Sequence, residues 1–257
     1  MSFAERLILE NNDSGDIIEN EHLVRYQFAS KFVNNKKVLD IACGSGYGTK
    51  ILATAGASEA VGVDCDAETI HRNRALTCSG NLIYREGEAI NIPAKDREFD
   101  VVVSFETIEH LSATDQDKFV FELARVISDD GLVFVSTPNL TVFGNKNPYH
   151  IKELTRSEFQ EILKKYFPFA VILEQGNGIV SFIRPTGDQE IKSVKITSSS
   201  EPLYFVAVCS KREITENGFK GEGVGSVSVK AYNRLKNNPI LRLSNKIYPL
   251  VKFFFKK

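Results

Sequence analysis

The apolar positions change period along the chain. From Ile17 to Val33 they recur at helical spacing (Ile18, Leu23, Tyr26, Phe28, Ala29, Phe32) and predict a helix. Val38 to Ala42 is a short apolar run, the mark of a buried strand. Gly44, Gly46 and Gly48 break it at once, and a helical pattern runs from near Tyr47 to about Ala55. Strands follow at Ala60 to Asp64, Leu82 to Glu86, Val101 to Phe105, Gly131 to Pro138, Phe169 to Glu174 and Leu203 to Ser210. Helices are predicted from Ala67 to Cys78 and from Thr155 to Tyr166, the second opened by the capping box Thr-Arg-Ser-Glu. Apolar strands interleaved with helices predict an α/β domain built on a mostly parallel sheet.

Two stretches depart from this pattern. Residues 176–202 hold strand-like pieces (Ile179 to Ile183, Lys192 to Ile196) around Pro185-Thr186-Gly187-Asp188, read as an inserted hairpin over the ligand edge of the sheet. Beyond Glu222 there is no acidic residue, while Lys230, Arg234, Lys236, Arg242, Lys246, Lys252, Lys256 and Lys257 alternate with bulky apolar residues such as Ile240, Leu243, Tyr248 and Phe253. Val224 to Ala231 reads as a linker. The expected organisation is a domain over 1–212, with its insertion at about 176–202, then a linker and basic amphipathic tail over 213–257. Such a tail lies on an anionic membrane surface, or packs on the domain or on a second subunit in a homodimer.

Composition narrows the class. A chain of 257 residues with 42% hydrophobic residues can bury a full core. Its net charge of −1 gives no global field for nucleic acid. Cys43, Cys65, Cys78 and Cys209 lack C-x-x-C spacing and read as reduced thiols, which argues for the cytoplasm and against a disulfide framework or zinc site. Met1 to Asn12 carries Glu5 and Glu10 and no long apolar core, so no signal peptide is expected. No apolar run approaches the ~20 residues that span a bilayer. The expected location is the cytoplasm, with the tail free to reach the inner face of the membrane.

The candidate chemistry starts at the glycine turn. A strand that breaks into glycines at a helix start lets a ligand approach the backbone and meet unpaired N–H groups. Asp40 stands inside that strand, and Thr49 occupies the position where a G-x-G-x-x-G dinucleotide fingerprint needs glycine. Asp64, at the end of the second strand and roughly 20 residues after the glycines, is placed to accept from ribose hydroxyls. It could instead cap the next helix, although Asp66 suits that role better. Asp-x-x-x-Gly-x-Gly resembles the cofactor loop of class I S-adenosylmethionine (SAM)-dependent methyltransferases. The resemblance spans about Ile17 to Ser210. It implies a Rossmann-like fold with a seven-stranded, mostly parallel sheet whose last strand inserts antiparallel between the fifth and sixth. It also implies that Asp40, Ala42, Gly44, Gly46, Asp64, Cys65, Glu88, Ala89 and Phe105 surround SAM. In it the backbone at Gly44 and Gly46 meets the amino-acid end, Asp40 orients the loop and reaches the ammonium through water, and Glu88 takes the adenine amino group. Arg25, in His22-x-x-Arg25-Tyr26, reads from spacing as a solvated helix residue; the resemblance moves it to the cofactor.

The fourth strand ends in Ser104-Phe105-Glu106-Thr107-Ile108-Glu109-His110. If the chain turns helical at Glu106, then Glu106, Glu109 and His110 share one helix face and can hold a divalent cation, Mg²⁺ or Mn²⁺ by their oxygens, or a softer metal through the imidazole. Glu-x-x-Glu-His resembles the metal motif of small-RNA terminal ribose methyltransferases, in which a later His completes the site; His150 stands in that place. Otherwise His110 orders the loop or acts as a base beside Glu109, and the two glutamates are a solvated face. Phe105-Glu-Thr-Ile-Glu-His-Leu with Asn147-Pro-Tyr-His-Ile-Lys-Glu-Leu also resembles methyltransferases of bacterial polysaccharide and O-antigen clusters. That implies a sugar hydroxyl or terminal group of a cell-envelope glycan as acceptor. RNA ribose and quinones or other small molecules are the alternatives.

Overall fold

The computed structural model describes residues 16–77, 80–177, 201–214 and 219. The expected hairpin within 176–202, nearly all of the linker and tail, and the N-terminal segment before residue 16 lie outside these residues.

Seven strands form one sheet in the order β3-β2-β1-β4-β5-β7-β6. They are β1 (Lys37–Ile41), β2 (Glu59–Asp64), β3 (Leu82–Glu86), β4 (Phe99–Ser104), β5 (Ile127–Pro138), β6 (Phe169–Gln175) and β7 (Tyr204–Ser210). The first five run parallel; β7 is antiparallel to both β5 and β6, as the resemblance implied. The strands of the middle of the sheet are buried over nearly all their length because helices cover both faces.

One face packs under α1 (Asp16–Ala29), α2 (Tyr47–Thr54) and α3 (Ala67–Ala75), through Tyr26, Phe28, Leu52 and Ile70. The other packs under α4 (Ala113–Val126) and α6 (Arg156–Lys164), through Phe119, Leu123, Phe159 and Leu163. A short helix, α5 (Leu140–Phe143), follows β5. The chain leaves β1 towards β2 and β3 on one side, and returns beyond β1 to lay β4 on the other. This order reversal opens a crevice above the carboxyl ends of β1 and β4, where open α/β sheets bind ligands.

The local signals explain the elements. Asp66 accepts from Thr69 N at 3.0 Å and caps α3, and Thr155 closes the capping box with Glu158 on α6. Three differences matter. α4 was not anticipated, although Phe119, Val120, Leu123 and Val126 form an apolar stripe and Ser112 caps it. β5 begins at Ile127 rather than Gly131, because the chain passes straight from α4 into pairing with Phe99 before the register shifts. β4 ends at Ser104, and Phe105 has already left the sheet for the loop above it.

Candidate active site

The loop after β1 is held in an unusual backbone path. Ala42 (φ 60°), Gly44 (φ 52°) and Gly46 (φ 79°) all lie in the left-handed region. A side chain on Gly44 would meet nothing within 4 Å, so open space fronts this turn; one on Gly46 would strike the Tyr84 ring. Cys43 N donates to Val63 O at 3.0 Å and ties the loop to β2.

Asp40 and Asp64 brace this loop from beneath and beside. Asp40 is buried; Thr49 Oγ1 donates to it at 2.7 Å and Tyr26 OH at 3.1 Å. Burial pushes its carboxyl up to about 7. Its oxygens accept from these two hydroxyls, so it braces the loop from within the fold, the orienting part of its expected role. Asp64 accepts from Gly44 N at 2.8 Å and from Asp66 N at 3.0 Å, while Asp66 takes the cap. These bonds tie the end of β2 to the glycine turn. Beyond it Cys65 is exposed. Glu88 is exposed on the turn it shares with Asn91, and Ala89 is half-buried against the core. Phe105 is buried, its ring edge-on to Tyr26 at 5.0 Å.

Arg25 is not solvated. It is 2% exposed on α1, with Nη1 donating to Gln175 Oε1 at 2.9 Å and the guanidinium 4.7 Å from the Tyr204 ring centre. Nη1 also lies 3.8 Å from Glu106 Oε1. Its Nε and Nη2 are buried without a hydrogen-bond partner among the described residues. A buried guanidinium with two unmet donors is a ready receiver for a carboxylate. Glu21, buried one turn earlier, accepts from Tyr204 OH at 2.8 Å and from Asn177. These partners lie some 150 to 180 residues away in sequence, and no local signal pointed to them.

The acceptor side rearranges the expected cluster. Glu106 has φ 53°, and the helical turn begins only at Ile108. Glu106 therefore leaves the face of Glu109 and His110; its carboxylate takes the Ser136 hydroxyl at 2.6 Å. The described residues instead bring together Glu109, His110 and His150, whose ligand-type atoms lie within 4.8 Å of one another. The two imidazole centres are 5.0 Å apart. Ile151 N and Lys152 N both donate to Glu109 O, at 2.9 and 3.0 Å, and this joins the two loops. Glu109 is fully buried, and burial together with the Glu106 charge holds its carboxyl well above the ordinary range.

The sheet order, the glycine turn at the reversal and an acidic β2 end are together those of the class I methyltransferase fold. Residues 39–135 match a family model described as a methyltransferase domain. A Mycolicibacterium smegmatis protein named as a probable S-adenosylmethionine-dependent methyltransferase is 36% identical over 148 residues, 56% of each chain. A ubiquinone biosynthesis O-methyltransferase of Chelativorans sp. is 33% identical over 123 residues, 47% of each chain. The chain thus spans about half the length of the curated relatives it matches. A solved SAM-dependent methyltransferase of Archaeoglobus fulgidus superimposes with a TM-score of 0.55 at 18% identity, over 76% of this chain and 93% of that one. At that identity the likeness carries the fold alone.

Proposed function

We propose that the protein is a SAM-dependent O-methyltransferase that acts on a sugar hydroxyl or terminal group of a cell-envelope glycan or its precursor. One observation carries the cofactor reading: the open glycine turn at Gly44 stands on the same crevice as a buried arginine with two unmet donors. Arg25 Nε and Nη2 suit the cofactor's carboxylate, and the backbone from Ala42 to Gly46 lets its amino-acid end approach. Asp64 suits the ribose hydroxyls beside Cys65, and Glu88 and Ala89 suit the adenine. Phe105 supplies an apolar wall. SAM brings an electrophilic methyl group on a sulfonium. The chain's own task is to align an acceptor oxygen with that methyl and to deal with the hydroxyl proton.

His110 is the acceptor-side residue. Its Nδ1 lies 3.0 Å from Tyr149 O, so Nδ1 carries the hydrogen and Nε2 the lone pair of the neutral ring. That lone pair can take a proton or hold a metal ion, and one use excludes the other. Tyr149, 43% exposed on the neighbouring loop, offers a flat ring on which a sugar can stack. The Asn147-to-Leu154 string and the basic tail also favour an acceptor handled at an anionic membrane surface. A second reading, quinone or other small-molecule methylation, draws on the named activity of the Chelativorans relative. RNA ribose methylation rests on the Glu-x-x-Glu-His pattern, from which Glu106 departs.

The deciding experiment supplies SAM labelled on its methyl to the purified protein, with the host's envelope glycans and its RNA as parallel acceptors. Label in the glycan fraction is expected. Label in RNA alone, or in a quinone extract supplied as a third acceptor, would overturn the acceptor, and failure to bind SAM at all would overturn the reaction.

A further inference from the structure

We propose that Glu109, His110 and His150 form a three-ligand site for a first-row divalent transition metal. The strongest sign is Glu109. Its side chain is fully buried, yet neither carboxylate oxygen has a hydrogen-bond partner among the described residues. Buried carboxylates are ordinarily paired, hydrogen-bonded or bound to a cation, so this group is built for something that the protein chain alone does not supply. The side chains beside it, with ligand atoms within 4.8 Å, are two imidazoles.

Both imidazoles are held in the tautomer that a metal needs. His110 Nδ1 donates to Tyr149 O. His150 Nδ1 donates to Glu153 Oε1 at 2.7 Å. Each ring therefore keeps its lone pair on Nε2. Glu153 is itself buried and fixed by Asn145 N, which donates to its other oxygen at 2.9 Å. A ligating histidine whose second nitrogen is oriented by a buried carboxylate or a backbone carbonyl is the usual outer shell of a metal centre. His150 Nε2 now accepts from Asn147 Nδ2 at 2.9 Å, and that half-buried loop amide must turn away when the ion binds.

The donor set fixes the kind of ion. Two nitrogens and one oxygen suit Mn²⁺, Fe²⁺, Co²⁺ or Zn²⁺ and not Mg²⁺, which demands oxygen ligands. This narrows the expectation of Mg²⁺ or Mn²⁺. It also removes Glu106 from the ligand set, since that carboxylate is turned to Ser136 and Arg25. Three protein ligands leave coordination positions for oxygens of an acceptor, a role that rests on the methyltransferase reading; metal binding does not.

The test uses the full chain, stripped with chelator and titrated with Co²⁺, read by visible absorption and metal content. SAM binding is measured in parallel by calorimetry. One equivalent of Co²⁺ is expected, with bands of nitrogen–oxygen ligation. His110→Ala, His150→Ala and Glu109→Gln should each abolish uptake at stoichiometric Co²⁺. Glu153→Gln should weaken it about 10–100-fold while leaving the ligands intact. Glu106→Gln should bind as the parent does. His150 is half-buried in a loop, so His150→Ala keeps the test alive if Glu109→Gln fails to fold. Absence of Co²⁺ uptake by the parent, or undiminished uptake by His150→Ala, overturns the site. Loss of uptake in Glu106→Gln overturns the ligand set. SAM binding without metal removes this inference alone, whereas metal binding without SAM removes the methyltransferase reading alone.

Discussion

Asp40 is a carboxylate that the fold keeps in the dark. In the unfolded chain it ionises near pH 4, but burial delays this to about 7 in the folded protein. Below about pH 4 it is protonated in both states and has no effect on stability. Between about 4 and 7 the unfolded state sheds its proton and the folded state does not, so stability falls as pH rises. Asp40→Asn should flatten this decline, which is bounded by about 4 kcal/mol. Urea unfolding of both proteins across pH 4 to 7 checks it; parallel profiles would remove Asp40 as the cause. Asp64 carries the opposite kind of duty. Asp64→Ala removes charge-assisted hydrogen bonds worth about 1.5–3 kcal/mol, so SAM affinity should drop about tenfold to over a hundredfold by calorimetry. Unchanged affinity would take Asp64 out of the site. These two residues were legible because their partners sit on neighbouring segments. Arg25 was not, since helical spacing gives the face of a residue but not its depth, and its partners Gln175 and Tyr204 come from the far end of the chain.

Helix α2 follows the glycine loop and shows how an element can be shaped by one missing side chain. At Gly48, which sits inside this helix, alanine would ordinarily gain about 1 kcal/mol from helix propensity. Here its Cβ would fall on the Tyr26 ring. The ring must shift, and with it the hydroxyl that holds Asp40. Overpacking of this kind costs about 1–3 kcal/mol, so Gly48→Ala should be net destabilising, read as a lower urea midpoint at unchanged slope. On α6 the effect is simpler. Thr155→Ala breaks a reciprocal cap and should cost about 1 kcal/mol by the same measurement. Caps, glycine turns and strand runs are local, and they could be read from the residues. The left-handed turn at Glu106 could not. Nothing in Phe-Glu-Thr-Ile marks it, and it alone redirects one carboxylate from the histidines to Arg25.

At the scale of the whole molecule, a mostly parallel α/β sheet followed from alternating elements, while the antiparallel insertion of β7 came from resemblance; period alone gives neither the strand order nor where a last strand pairs. The glycine turn and the acidic end of β2 are contiguous with those strands, so their placement was readable. The resemblance paired His150 with Glu109 and His110; what it did not give is the junction itself, the backbone bonds from Ile151 N and Lys152 N to Glu109 O that join the two loops. The charge distribution supplies a last expectation. After Glu222 there are eight Lys and Arg residues and no acid, while the whole chain carries −1, so residues 1–222 carry −9. Attraction to an anionic surface must therefore be local to the tail and opposed by the rest. Each basic residue near such a surface contributes about 1 kcal/mol, and the attraction decays within a Debye length. The full chain should sediment with vesicles rich in phosphatidylglycerol, stay in solution with phosphatidylcholine alone, and be released as salt is raised. A chain ending at Glu222 should lose the binding and keep its SAM affinity. If the full chain ignores lipid charge, the membrane reading of the tail fails, and sedimentation of the two chains without lipid tests the alternative, a contact between two copies.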